Sequence, residues 1–372
     1  MKTHDAKAGW HRRTLIRLAG TLGLAALVAP GVAAAQNAVV VAHAAGINGQ
    51  AVEAILKDYT AETGVKATGI TMSDTDYGAK MQLAARTGNV DFDVALGVGS
   101  DVFALTKGDG IYAGIDTSGW KKETLAGMQE AKLIGDDYAV SQDTAALMVY
   151  GKALADNPPK TWGDFFDTKK YPGNRGMASG GLGVPIDIEY ALIASGKDPA
   201  KLYPLDYDAA FAVLDKVAKD IVLWDNAPKG IQDLVNGDTV MTWSYAPAAL
   251  SAIAAGQDIK LAAPPGTAVT RQLGVVMAKG PNGEDAGQAF FAWWFRPENQ
   301  KKYTELTNYG IVVPSQEVLK QFSPEQSAYM PFSGAHPENY RTLGYDYYSA
   351  EGDLGQSNLA LTLDRWNQFR AR

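Results

Sequence analysis

Hydrophobic positions along the chain switch repeatedly between a strand period and a helix period. Residues 38–42 read as an apolar strand, 43–49 as a corner of small residues, and 50–63 as a helix. Val52, Ile55, Leu56 and Tyr59 recur there at the spacing of one buried stripe. Gly64 stops that helix and 65–70 returns as a strand. Asp76 is expected to cap a helix running to about 86; 92–96 is then a strand, 97–101 a corner and 102–107 a helix. Further on, the pattern repeats. Strand 176–179 leads through Gly180, Gly181, Leu182 and Gly183 to a helix opened by Pro185. Asp208 begins a helix to about 221, with Ala210, Val213, Leu214 and Val217 on one face. Strand 222–224 and helix 229–235 follow. Strand 239–242 then turns through Trp243, Ser244 and Tyr245 into a helix set by Pro247, and 259–262 is a further strand.

Strands alternating with helices predict a parallel sheet with right-handed crossovers. Two stretches break the alternation. Residues 138–150 are one long extended run, and 271–278 are strand-like; these are read as the passages from one domain to a second and back. Four strand–corner–helix units result, at His43, Ser100, Ser179 and Trp243, two before the first passage and two after it. Corners at the carboxyl ends of such strands are where open α/β folds bind ligands, and two lobes would face them into one cleft. Trp243 and Tyr245 would offer flat faces beside free helix N–H groups. The alternative is that they finish a core. Helices at 285–295, with a Phe290, Phe291, Trp294 stripe, and at 298–308 precede a tyrosine-rich tail that ends in a helix around 364–369.

Composition narrows the classes. A chain of 372 residues with 46% hydrophobic and 20% charged residues has room for two sizeable cores. It has no cysteine, hence neither disulfide, thiolate metal site nor cysteine nucleophile. Arg12 and Arg13 lead into an apolar run from 15 to 28, broken by Pro30 and Gly31 ahead of Ala33, Ala34 and Ala35. That is the layout of an export signal cleaved near Ala35, and with Thr14, Leu15, Ile16 and Arg17 it resembles the twin-arginine type; ordinary secretion is the alternative. The location expected is the periplasm. Loss of 1–35 removes five basic residues and one acid, moving the net charge from −7 to −11, which disfavours nucleic acid and anionic membranes as partners. Of the four histidines only His43 and His336 would remain, too few for a histidine-built metal site.

Catalytic signatures are missing. There is no G-x-S-x-G elbow and no Walker loop, and the G-x-G-x-x-A at 108–113 follows a helix and reads as a turn. A calcium-like start at Asp74, Asp76 and Gly78 has Ala85 where a bidentate glutamate belongs. No cofactor is implied. Tyr347 and Tyr348 could bind ferric iron, or simply pack the tail. An exported enzyme is the other alternative to a binding protein.

Pro159–Asp167 and Tyr171-Pro172-Gly173, with 201–206, 295–300, Tyr309-Gly310 through Pro314 and Arg365-Trp366-Asn367, resemble the periplasmic polyamine-binding (spermidine/putrescine) proteins. These are the substrate-binding components of ABC importers. The resemblance covers essentially all of the chain after 35. It implies a type II periplasmic-binding-protein fold: two α/β lobes joined by two crossing segments, with the ligand cleft between them. The lobes would comprise 36–141 with 268–338, and 142–267 with 339–372. It implies a monomer that turns nothing over and delivers a small solute to membrane permease subunits. Trp243 matches a family tryptophan that packs on ligand. Departures shift the expected solute: where polyamine members carry Trp-x-Asp ahead of the return strand, this chain has Thr270, Arg271 and Gln272. A buried Arg271 opposes a dication, whereas it clamps a carboxylate. The expected solute is therefore a small amine-containing or amino-carboxylate compound (polyamine, γ-aminobutyrate-like compound, amino acid or opine); the departures favour the carboxylate-bearing ones, with the amine held by Asp101, Asp143 or Asp187. The expected site is His43, Ser100, Asp101, Asp143, Ser179, Asp187, Trp243, Ser244, Tyr245, Arg271 and Gln272.

Overall fold

The two largest hydrophobic cores form on either side of a shared pair of long antiparallel strands, with smaller clusters around Leu147 and Val312. The computed structural model describes residues 38–180, 183–352 and 355–372. The expected export segment at 1–35, and Gly181 and Leu182 of the glycine-rich loop, lie outside them. The first half runs β1 (Ala38–Ala44), α1 (Gly46–Thr63), β2 (Lys66–Met72), α2 (Asp74–Thr87), β3 (Val94–Gly99), α3 (Ser100–Thr106) and α4 (Lys122–Glu130). β4 (Ala139–Gly151) leads to the second half, which holds α5 (Trp162–Phe166), β5 (Arg175–Ala178), α6 (Ile186–Ala194), α7 (Tyr207–Val217) and β6 (Ile221–Trp224). It continues with α8 (Ala227–Asn236), β7 (Met241–Tyr245), α9 (Ala246–Ala254) and β8 (Ile259–Ala262). β9 (Thr267–Val276) returns to α10 (Glu284–Trp294), α11 (Pro297–Leu306) and α12 (Gln316–Leu319). The tail comprises β10 (Tyr340–Thr342), α13 (Tyr345–Ser349) and α14 (Asn358–Arg370).

The strand order is β2-β1-β3-β9-β4-β7-β5-β6, with β10 beside β9 and β8 beside β4. Each flank is parallel, as the alternation predicts: β1 with β2 and β3, β5 with β6 and β7. The centre is antiparallel, because β4 and β9 arrive as direct passages rather than through helical crossovers. β4 uses Ala139–Ala145 against β9 and Ala146–Gly151 against β7 and β8, so one strand serves both halves. The first core buries Val39, Val41, Ile55, Phe92, Phe290 and Trp294; the second buries Trp162, Tyr190, Leu214, Trp243 and Trp366. The Phe290, Phe291, Trp294 stripe is core.

Several boundaries move. Trp243, Ser244 and Tyr245 belong to β7 itself, paired with Met148, Leu147 and Ala146, and the helix follows at once. That antiparallel partner, too distant in sequence to be read from a local window, extends the strand past its apolar run. α1 starts at Gly46, whose φ of +70° makes the tight exit from β1. Asp76 is not the cap of α2: Ser73 is, and the two residues form a reciprocal capping box. Asp206, not Asp208, caps α7.

Candidate functional site

A cavity of about 330 Å³ opens where β1, β3, β4, β9 and the β7–α9 junction meet. The first turns of α1, α3, α6 and α9 line it through Asn48, Asp101, Ile186 and Pro247. All four helices start without a capping side chain, at Ala45, Gly99, Pro185 and Tyr245. Starts without a capping side chain also occur away from the cavity, at α4, α10, α11 and α12, while α2, α5, α7, α8 and α14 carry Ser73, Thr161, Asp206, Asn226 and Ser357 as caps. Uncapped N–H groups present partial positive charge to whatever fills the space.

Arg271 supplies the full charge. β4 and β9 pair Asp143 with Arg271 in register, and the guanidinium donates from Nε and Nη2 to the two carboxylate oxygens at 3.0 and 2.7 Å. Asp143 is fully buried, while the arginine side chain is 21% exposed and lines the cavity. Burial pushes the Asp143 carboxyl up, and the guanidinium draws it back. Among the described residues Nη1 has no hydrogen-bond partner, so one face of the fork remains for a second anion. Asp101 is the carboxylate in the lining.

A polar floor joins these charges. Gln142 donates to Gln272 Oε1, and its own Oε1 accepts from Asn48 at 2.8 Å and Tyr303 at 2.6 Å. The alignment depends on bulges at Gly97 in β3 and near Ser141 in β4. Gly97 has φ +98°, and a Cβ there would lie 2.9 Å from Gln142 Nε2. The walls are apolar and aromatic, with Tyr77, Tyr245, Tyr345, Val102, Ile186 and Leu343.

Of the expected residues, Asp101, Tyr245, Arg271 and Gln272 line the cavity, and Asp143 touches it through Arg271. Ser100 lies behind Arg271, donating to its carbonyl at 3.1 Å. His43 is buried behind Ala44, with Nδ1 2.9 Å from Ala44 O and Nε2 3.0 Å from Glu53 Oε1. Ser179 and Ser244 are outside the lining, Ser244 fully buried and Ser179 holding its N–H on Trp224 O. Trp243 sits in the second core, its indole N–H on Asp187 Oδ1 at 2.6 Å, so neither faces the cavity. Burial raises the Asp187 carboxyl to about 7, against the pull of that N–H. Asp187 Oδ2 is buried without a partner among the described residues. Trp243 still shapes the wall: its ring meets Tyr245 edge-on at 5.5 Å.

Sequence reasoning missed Asn48, Gln142, Tyr77 and Tyr345. Polar residues inside apolar strands, such as Gln142 and Gln272, were the available signal. The tail tyrosines divide: Tyr348 donates to the buried Glu189, and Tyr347 meets Leu205 N and Tyr207.

The family model for bacterial extracellular solute-binding proteins matches residues 54–326. The chain belongs to that family. It is similar to the gamma-aminobutyric acid-binding protein of Pseudomonas aeruginosa, 28% identical over 215 residues. That match takes in 56% of this chain and 58% of the relative's length. Among solved structures, a GABA receptor superposes with a TM-score of 0.74 at 22% identity, covering 90% of this chain and 98% of that one. The PBP AgtB from A. tumefaciens R10, in complex with agropinic acid, gives 0.71 at 21%, covering 90% and 99%. These superpositions show the periplasmic-binding-protein fold for this solute-binding family member.

Proposed function

We propose that this solute-binding protein captures a small amine-bearing carboxylate in the periplasm and delivers it to the permease of an ABC importer, without chemical turnover. Export would remove 1–35, and the lobes would be 36–141 with 268–338 and 142–267 with 339–372. The observation that carries the solute class is Arg271, fixed by Asp143 at the strand pair between the two cores yet open to the cavity. A guanidinium anchored on one carboxylate accepts a second at its free edge. Four uncapped helix starts favour the same sign of charge, and Asp101 in the same lining would hold the amine. The named relatives, a gamma-aminobutyric acid-binding protein and an agropinic acid complex, both take acids, which supports the carboxylate; the amine is supported by the first alone.

A thermal-shift screen of purified protein against γ-aminobutyrate, amino acids, opines, putrescine and spermidine tests the reading. Amine-bearing carboxylates are expected to raise Tm, by the equivalent of about 2.7 kcal/mol at a hundredfold excess over Kd. Diamines are expected to leave it unchanged. Strong stabilisation by putrescine or spermidine, undiminished when Arg271 and Asp143 are replaced together, would overturn the carboxylate assignment.

A further inference from the structure

The tail reaches the site from an unexpected direction. β10 lies parallel to β9, pairing Thr342 with Val269, and delivers Tyr345 to the cavity wall at the start of α13. The Arg271 backbone N–H donates to the Tyr345 hydroxyl at 3.0 Å. One lone pair of that oxygen is thus taken, while its hydrogen has no acceptor among the described residues. Asp101, Asp143 and Tyr245 lie within electrostatic reach, and burial holds the phenol well above its ordinary range, so it stays a donor.

Both cores fix the segment. On one side Glu189, buried in the second half, accepts from Tyr348, Arg341 and Tyr203, and Tyr203 in turn accepts the Gly344 N–H at 2.7 Å. On the other side α13 packs on α3, whose preceding strand belongs to the first half.

We propose that Tyr345 is a specificity-determining residue of the solute site, donating to a solute oxygen beside Arg271, and that 340–349 form a strap held by both cores. The oxygen preference rests on the carboxylate reading above; the strap does not. The test compares Tyr345→Phe with Tyr347→Phe, a tail control outside the cavity. Two readouts are γ-aminobutyrate affinity by calorimetry and backbone amide exchange at Arg271 and α3 in solute-free protein. Tyr345→Phe is expected to weaken γ-aminobutyrate about tenfold, as for one lost hydrogen bond to a charged group, and to speed exchange at Arg271. The control is expected to do neither. Equal affinity in Tyr345→Phe and the parent overturns the specificity role. If the parent binds no γ-aminobutyrate, another amino carboxylate or any opine, the solute class fails and exchange alone decides. Unchanged protection at Arg271 and α3 then overturns the strap.

Discussion

Asp187 combines a buried carboxyl, one oxygen held by the Trp243 indole and one without a partner among the described residues. With its folded value raised to about 7, the native state keeps a proton that the unfolded chain releases near pH 4. The stability this group contributes is therefore present at acid pH and is lost as pH rises from about 4 through 7. Asp187→Asn is expected to flatten the Tm–pH profile across that window, and an unchanged slope would assign the dependence elsewhere. Arg271 poses the opposite problem. Arg271→Ala alone strands Asp143 in the interior, a change that costs about 3–5 kcal/mol in comparable buried pairs. Its loss of solute binding would then be confounded with unfolding. Replacing both, as Arg271→Met with Asp143→Asn, removes the charges together. This variant is expected to recover much of the lost Tm while still binding γ-aminobutyrate ~30-fold or more weakly, about 2 kcal/mol by calorimetry.

At the scale of elements, the bulge at Gly97 sets the polar floor. Gly97→Ala forces a side chain onto a left-handed backbone and into Gln142. It is expected to cost about 1–3 kcal/mol in urea unfolding and to disturb solute binding at the same time. A variant as stable as the parent would show that β3 can shed its bulge. Such features divide what local sequence conveys from what it does not. The stripe of Val52, Ile55, Leu56 and Tyr59, and the 259–262 strand, were readable because period and ends are local properties. The four strand–corner–helix units were readable for the same reason, and their helix starts do ring one cavity. Trp243 was assigned to the cavity wall because an aromatic near a strand end fits a site or a core equally. Only the pairing of Met148 with Trp243 and the bond to Asp187 put it inside. Tyr345 was hidden differently: its partner Arg271 stands 74 residues away in sequence, reached through a three-residue strand with weak local pattern.

The two largest cores lie on either side of the β4–β9 pair, and the expectation of two lobes joined there predicts closure around solute. Small-angle scattering is expected to show a smaller radius of gyration with γ-aminobutyrate than without it, and an unchanged radius on saturation would make the site preformed. The cores also interleave along the chain. The first draws on Val39 and on Val313; the second on Ala146 and on Phe369. A chain ending at residue 300 holds nine of the ten strands among the described residues, yet lacks Tyr348, Trp366 and Phe369 from its second core. Asn358–Arg370 carries Trp366 and Phe369 into the second core, and a variant lacking that helix is expected to be cleared faster than the parent in limited proteolysis.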